Sequence, residues 1–192
     1  MPEGQAVEAG VGAHGIFGGT TAAVGADGYV EGQLLPPGAV AGWGAVQLVA
    51  RGSATDFFPY SNAKLFSDVL AEGTGGVRTS YSISQTLYIG GEVLGGYEWR
   101  QGQEQSVILS AGMPVAEAAT PDIWVYTDPT IGLIARVGGD PCSHGIPFCG
   151  YTEVPLGITW RVTPWFLLSG EGGLSVPLQP GGYVAVAAAF RL

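Results

Sequence analysis

Read in steps of two, the chain sorts its residues by phase. In a β-strand successive side chains point to opposite faces, so one phase is one face. Nine stretches hold a phase for about nine to seventeen residues. Over 5–17, Val7, Ala9, Val11, Ala13 and Phe17 oppose Glu8 and His14. Over 21–35, Ala22, Val24, Ala26, Val30 and Leu34 oppose Asp27, Tyr29, Glu31 and Gln33, before Pro36-Pro37-Gly38 turns the chain. Over 39–51, Val40, Val46, Leu48 and Ala50 oppose Gln47 and Arg51. The stretch 84–100 sets Leu87, Ile89, Val93, Tyr97 and Trp99 against Tyr88, Glu92, Glu98 and Arg100. Stretches follow at 105–115 (Val107, Leu109, Ala111, Met113, Val115 against Ser106, Ser110) and 130–138 (Ile131, Leu133, Ala135, Val137 against Thr130, Arg136).

The last three are the clearest. Val154, Leu156, Ile158, Trp160 and Val162 oppose Glu153, Thr159 and Arg161. Beyond Thr163-Pro164, Phe166, Leu168, Leu174 and Val176 oppose Ser169, Glu171 and Ser175. Beyond Gln179-Pro180-Gly181-Gly182, Val184, Val186, Ala188, Phe190 and Leu192 oppose Tyr183 and Arg191.

Within these stretches every charge sits on the polar phase, and the apolar phase carries none. A soluble sandwich also alternates, but its strands average about five or six residues. Thirteen residues span on the order of 43 Å at about 3.3 Å each. The polar phase is itself rich in Gly, Ala, Ser and Thr, as an enclosed surface would be. The inverted arrangement accounts for both: apolar faces toward lipid, polar faces into a closed barrel whose backbone has no open edge. The predicted lipid-facing residues include Val154, Leu156, Ile158, Trp160, Phe166, Leu168, Val184, Val186 and Phe190.

Composition narrows the function. Charged residues are 12% of the 192, and the net charge of −9 excludes a nucleic-acid partner. Thirty-three glycines argue against a helical fold, and no run of eighteen apolar residues exists to cross a membrane as a helix. The start, Met1-Pro2-Glu3-Gly4, has neither a basic nor an apolar leader region, so the numbering is expected to begin near a mature N-terminus with an added Met.

The C-terminal Tyr183-Val-Ala-Val-Ala-Ala-Ala-Phe190-Arg-Leu192 resembles the closing strand of the small outer-membrane β-barrels of Gram-negative bacteria. In that superfamily the last strand alternates apolar residues and ends in an aromatic that the assembly machinery recognises. Here Phe190 stands two before the terminal Leu192, on the same face. The resemblance implies a single domain over 1–192, an all-β, transmembrane, antiparallel up-and-down barrel in the bacterial outer membrane. Such barrels have an even strand number, so nine stretches include one misreading; eight strands are expected, ten next.

Two segments break the pattern. Over 61–72, Ser61 or Asn62 as cap, Leu65, Phe66, Val69 and Leu70 at helical spacing and a closing Gly73 predict a short loop helix. Residues 116–129 read as an irregular connection whose Ile123, Trp124 and Tyr126 would anchor at headgroup level. Cys142 and Cys149 flank a Pro- and Gly-rich loop; a disulfide is the expected reading, and free thiols or a metal site with His144 are the alternatives. With no fourth ligand nearby, no metal is expected. Gly10-Val-Gly12-Ala-His-Gly15 matches a dinucleotide-binding fingerprint, but an alternating stretch follows it where a helix is required, so no cofactor is expected.

In a small barrel the bore is filled by side chains, and buried charges must pair. A Glu–Arg network is therefore predicted among Glu92, Glu98, Arg100, Arg136, Glu153, Arg161 and Glu171. The expected function is non-enzymatic: an anchor or interaction platform contacting outer-membrane lipid, with an envelope protein as partner through loops 100–104 and 138–150. The alternatives are a narrow pore for small solutes, a lipid-modifying enzyme using His14 or His144, and a soluble barrel with its apolar phase turned inward around a ligand.

Overall fold

The computed structural model describes residues 7–18, 21–39, 44–59, 68–101, 105–137, 148–176 and 181–191. They form twelve β segments: β1 Val7–Gly18, β2 Thr21–Leu35, β3 Ala45–Pro59, β4 Val69–Ser82, β5 Leu87–Arg100, β6 Gln105–Gly112, β7 Val115–Thr120, β8 Ile123–Thr127, β9 Thr130–Val137, β10 Phe148–Thr163, β11 Phe166–Val176 and β12 Gly181–Arg191. Every pairing is antiparallel. The sheet closes where β12 meets β1, from Glu8 opposite Arg191 to Phe17 opposite Gly182.

The segments build ten staves. β6 and β7 lie end to end along β5, with β6 beside Glu92–Glu98 and β7 beside Leu87–Ile89. β9 and β8 lie end to end along β10 in the same way, and pair with β6 and β7 on their other side. The phase runs unbroken through both joins, Met113-Pro114 and Asp128-Pro129, where proline interrupts the ladder because it has no N–H to donate.

Ten staves correct the expectation of eight. The nine stretches were all strands, and the missing tenth is β4. The helix expected over 61–72 is corrected for its last part, since Val69–Glu72 open β4; residues 61–67 lie outside the described residues. The segment 116–129 is β7 and β8 rather than an irregular connection.

The outer face is apolar. Val11, Val30, Leu48, Val93, Leu109, Ile131, Leu156, Leu174 and Val186 all project outward and are half or more exposed. In water such a belt would far exceed the few hundred Å² of contiguous apolar surface that monomers tolerate. The soluble alternative, with this phase turned inward, is thereby overturned. Two acids share the outer phase, and both lie near strand ends: Asp56 three residues before the end of β3 and Glu117 three before the end of β7.

An even stave number brings both termini to one end. That end also holds the connections 36–44, 83–86, Pro121-Asp122 and Pro164-Trp165, whereas 19–20, 60–68, 101–104, 138–147 and 177–180 join strands at the other. Three of the four connections at the terminal end have four residues or fewer, and short turns mark the periplasmic end of outer-membrane barrels.

Glycine is spent on the inner wall, where it seats tyrosine. Gly10, Gly132, Gly157 and Gly173 stand directly across from Tyr29, Tyr151, Tyr126 and Tyr183. A Cβ at any of the four would collide with the facing ring. Each ring therefore lies flat against a bare backbone, covering a residue that would otherwise pack nothing.

Gly132→Ala or Gly157→Ala is expected to destabilise the barrel by about 1–3 kcal/mol, the usual cost of overpacking. Gly170, with open space about its Cα, is the control: Gly170→Ala should shift the urea midpoint little in the same lipid or detergent.

Candidate functional site

The lumen is the candidate site, and its charges meet across the bore. Arg78 on β4 is the hub. Its guanidinium bonds Glu92 of β5 (Nη2 to Oε2, 2.7 Å) and Glu31 of β2 (Nη1 to Oε2, 3.2 Å), and lies 3.5 Å from Asp128 at the β8–β9 join. Arg51 of β3 donates to the same Glu92 oxygen at 2.8 Å. Glu92 is 4% exposed and Glu31 5%, so the pairing is needed: an unpaired buried charge costs several kcal/mol. Toward the periplasmic end, Arg191 Nε donates to Glu8 Oε2 at 2.6 Å, and the Tyr29 hydroxyl to Glu8 Oε1 at 2.7 Å.

The residues expected to form one network are distributed over the barrel. Glu92 belongs to the hub, with Arg51 and Arg78 as partners. Glu98 interacts with Arg100, Arg136 and the Ser106 hydroxyl. Glu153 takes a hydrogen bond from Ser175, and Glu171 takes them from Tyr126 and from Tyr183, the latter at 2.8 Å. Arg100 and Arg161 serve the two rims. Arg100 Nε donates to Asp68 Oδ1 at 2.7 Å and stacks on the Phe57 ring, 5.0 Å from its centroid. Arg161 donates to Asp122 Oδ1 and to the Pro121 carbonyl, and covers Trp124.

Of the predicted outward set, Val154, Leu156, Ile158, Trp160, Leu168, Val184, Val186 and Phe190 are exposed on the exterior. Phe166 shares that face but is half-buried in a cluster with Trp165 and Phe190, its centroid 5.2 Å from that of Phe190. Cys142 and His144 lie outside the described residues. Cys149 is half-buried on β10, and no described cysteine is free.

One constellation escaped sequence reasoning. His14 of β1 sits between Asp27 of β2 (Nδ1 to Oδ2, 3.1 Å) and Thr55 of β3 (Nε2 to Oγ1, 2.8 Å). Gly12 and Gly25 make room for it, since a Cβ there would strike Asp27 and His14 respectively. The three residues are distant in sequence, and only the register aligns them. Thr55 is 4% exposed, so the chain of bonds ties three staves together inside the wall and offers no accessible nucleophile.

Between the side chains lie cavities, two of which meet the charged network. One, of about 450 Å³, lies toward the periplasmic end and is lined by Glu8, Glu31, Trp124, Tyr126, Asp128 and Glu171 among others. The second, of about 270 Å³, lies on the other side of Arg51 against Ser53, Glu72, Glu92 and Tyr151. Asp27, Tyr29, Arg51, Thr130 and Glu153 line both.

No protein-family model matches the sequence, and no curated protein is similar to it. Solved structures are similar in fold. The NanC porin aligns over 95% of this chain and 100% of its own, at 10% identity and a TM-score of 0.52. The translocator domain of the autotransporter NalP from Neisseria meningitidis aligns over 100% and 90%, at 10% identity and a TM-score of 0.52. The chain spans 61% of the length of OmpTΔL8, a loop-deletion mutant of an outer-membrane protein of Vibrio cholerae, at 11% identity and a TM-score of 0.45. The fold is that of an outer-membrane β-barrel.

Removing the hub should be costly. Arg78→Met strands Glu31 and Asp128 and leaves Glu92 to Arg51 alone, with an expected loss of about 3–5 kcal/mol in reversible unfolding from lipid vesicles. The rim pair gives a pH signature. Hydrogen bonds from Arg100 hold the Asp68 carboxyl below its ordinary range. Its contribution is complete above the unfolded value, about pH 4, and is lost as pH falls through the lower folded value. The stability gap between the native chain and Asp68→Asn should therefore be constant near neutrality and close in acid, as followed by unfolding midpoints.

Proposed function

We propose that this chain is an integral β-barrel of the bacterial outer membrane, working as a closed anchor and docking platform. The observation that carries the reading is the Arg78 hub. One guanidinium reaches acids from β2, β5 and the β8–β9 join, so it crosses the bore in the wall of the 450 Å³ cavity. A water-filled channel would need that girdle to part. The apolar exterior supports burial in lipid, with the periplasmic rim marked by the rings of Trp165, Phe166 and Phe190. Docking of an envelope partner falls to the connections at the opposite end, 60–68, 101–104 and 138–147. No catalytic step enters this reading.

A second reading, a narrow pore, is favoured by one feature. The two cavities share five lining residues, so a small rearrangement of Arg51 would join them, and the acid-rich lining would prefer cations.

Heat-modifiable gel mobility after refolding into vesicles should establish insertion. Planar-bilayer recording then separates the readings. The native chain is expected to be silent and the Arg51→Ala, Arg78→Ala variant to conduct with cation preference. Steady conductance by the native chain would replace the anchor with the pore.

A further inference from the structure

Guanidinium groups are unevenly shared in the lumen. One oxygen of Glu92, Oε2, takes three donors: Arg78 Nε at 2.8 Å, Arg78 Nη2 at 2.7 Å and Arg51 Nη2 at 2.8 Å. Glu92 is 4% exposed and needs a cation, but Arg78 alone supplies one. Arg51 is the surplus donor. Its side chain is 38% exposed, against 17% for that of Arg78.

A neighbouring carboxylate has the opposite problem. Glu72 of β4 stands directly across from Glu98 of β5 on the inner face, and like charges so placed repel. Glu153 repels Glu72 as well, and the cation that acts on it is Arg51. Glu98 has Arg100 and Arg136, so the deficit falls on Glu72.

The register sets the two acids on opposite sides of Arg51. Arg51 pairs with Thr74, and Thr74 with Gly96. Glu72 lies two residues from Thr74, away from the periplasmic end, as a diagonal neighbour of Arg51 on the adjacent stave. Such neighbours are about 7–8 Å apart at Cα, within reach of a long side chain. Glu92 lies four residues from Gly96, toward the periplasmic end, on the stave beyond. Stretched to Glu92, Arg51 stands between the 450 and 270 Å³ cavities and lines both. Turned back to Glu72, it would lie along the wall of the smaller cavity, which Glu72 and Thr74 also line. Asp27 and Glu153 line both cavities too, but they already hold bonds from His14 and Ser175. The number of ion pairs is the same in either position, because Glu92 keeps Arg78. Two arrangements so balanced are what a switch requires.

We propose that Arg51 is a two-position latch, exchanging its guanidinium between Glu92 and Glu72 and so dividing or joining the two cavities. The latch deepens the narrow-pore reading. It rests on that reading for its effect on conduction, not for the motion itself.

The full chain is refolded into dodecylphosphocholine micelles, and heat-modifiable mobility confirms the barrel; a chain that fails there fails the membrane reading. Its six arginines give few side-chain signals, and the Arg51 Nε resonance is assigned by its loss in Arg51→Lys. Nitrogen relaxation dispersion should show microsecond-to-millisecond exchange at Arg51 and none at Arg78. Glu72→Gln, which also relieves the repulsion with Glu98, should cut that exchange at least fivefold, whereas Glu153→Gln should leave it unchanged. A flat Arg51 profile, or exchange that persists in Glu72→Gln, would overturn the latch. Planar bilayers then report on the pore. The charge moves along the bore, so native conductance should gain open time when the periplasmic side is made positive. Glu72→Gln should reduce that open time at least tenfold, and conduction indifferent to it would overturn the latch as a gate. A silent native chain whose Arg51 still exchanges removes the pore reading and upholds the latch.

Discussion

The whole structure answers to one constraint: in hydrocarbon there is no water to satisfy a backbone N–H or C=O, so the ladder must close on itself. The β1–β12 pairing does this with ten consecutive residue pairs. Closure dictates the even stave number, the shared end of the termini and the phase of every strand. Along most of the wall each residue meets its partner in register; at Pro114, Pro129 and Pro155 the ladder skips residues across three adjacent interfaces.

Closure creates a second problem, which is filling the bore. Ten staves enclose more space than the eight that side chains just fill. The chain answers with large inward rings seated on bare glycine backbone, Tyr29 on Gly10 and Tyr151 on Gly132, and with long arginines that reach across. The apparent dinucleotide fingerprint is a by-product of this packing. Gly10 and Gly12 are small because Tyr29 and Asp27 stand opposite them.

How much was legible before any coordinates follows from the same physics. Phase survives in sequence because period two is exact, so nine staves and the inward position of their charges could be read. β4 could not. Its outer face runs Val69, Ala71, Gly73, Gly75, Val77, Thr79, Tyr81, too small and mixed to alternate visibly, and Leu65, Phe66, Val69 and Leu70 happen to mimic a helical stripe. Residues 116–129 were misread because Pro121 and Pro129 signal breaks, whereas one marks a turn and the other an interruption within a stave. Partner choice was the least legible. Glu92 could be placed in the lumen, but its pairing with Arg51 and Arg78 depends on register between β3, β4 and β5, which no single strand encodes. The same holds for His14, Asp27 and Thr55. Arg100 and Arg161 find acids in connections, Asp68 and Asp122, that alternation does not cover.

The lumen's composition carries a last consequence. Its carboxylates outnumber its arginines, and the surplus is met by hydroxyls: Tyr29 on Glu8, Tyr126 and Tyr183 on Glu171, Ser175 on Glu153. A neutral donor satisfies an oxygen lone pair without cancelling charge. Hydrogen bonding can therefore be complete at Glu171 while the bore stays electronegative. A barrel that needed only to be plugged would be served as well by equal numbers of opposite charges. Holding the balance negative costs self-repulsion, and a solute that reached the bore along its axis would meet a lining that disfavours anions.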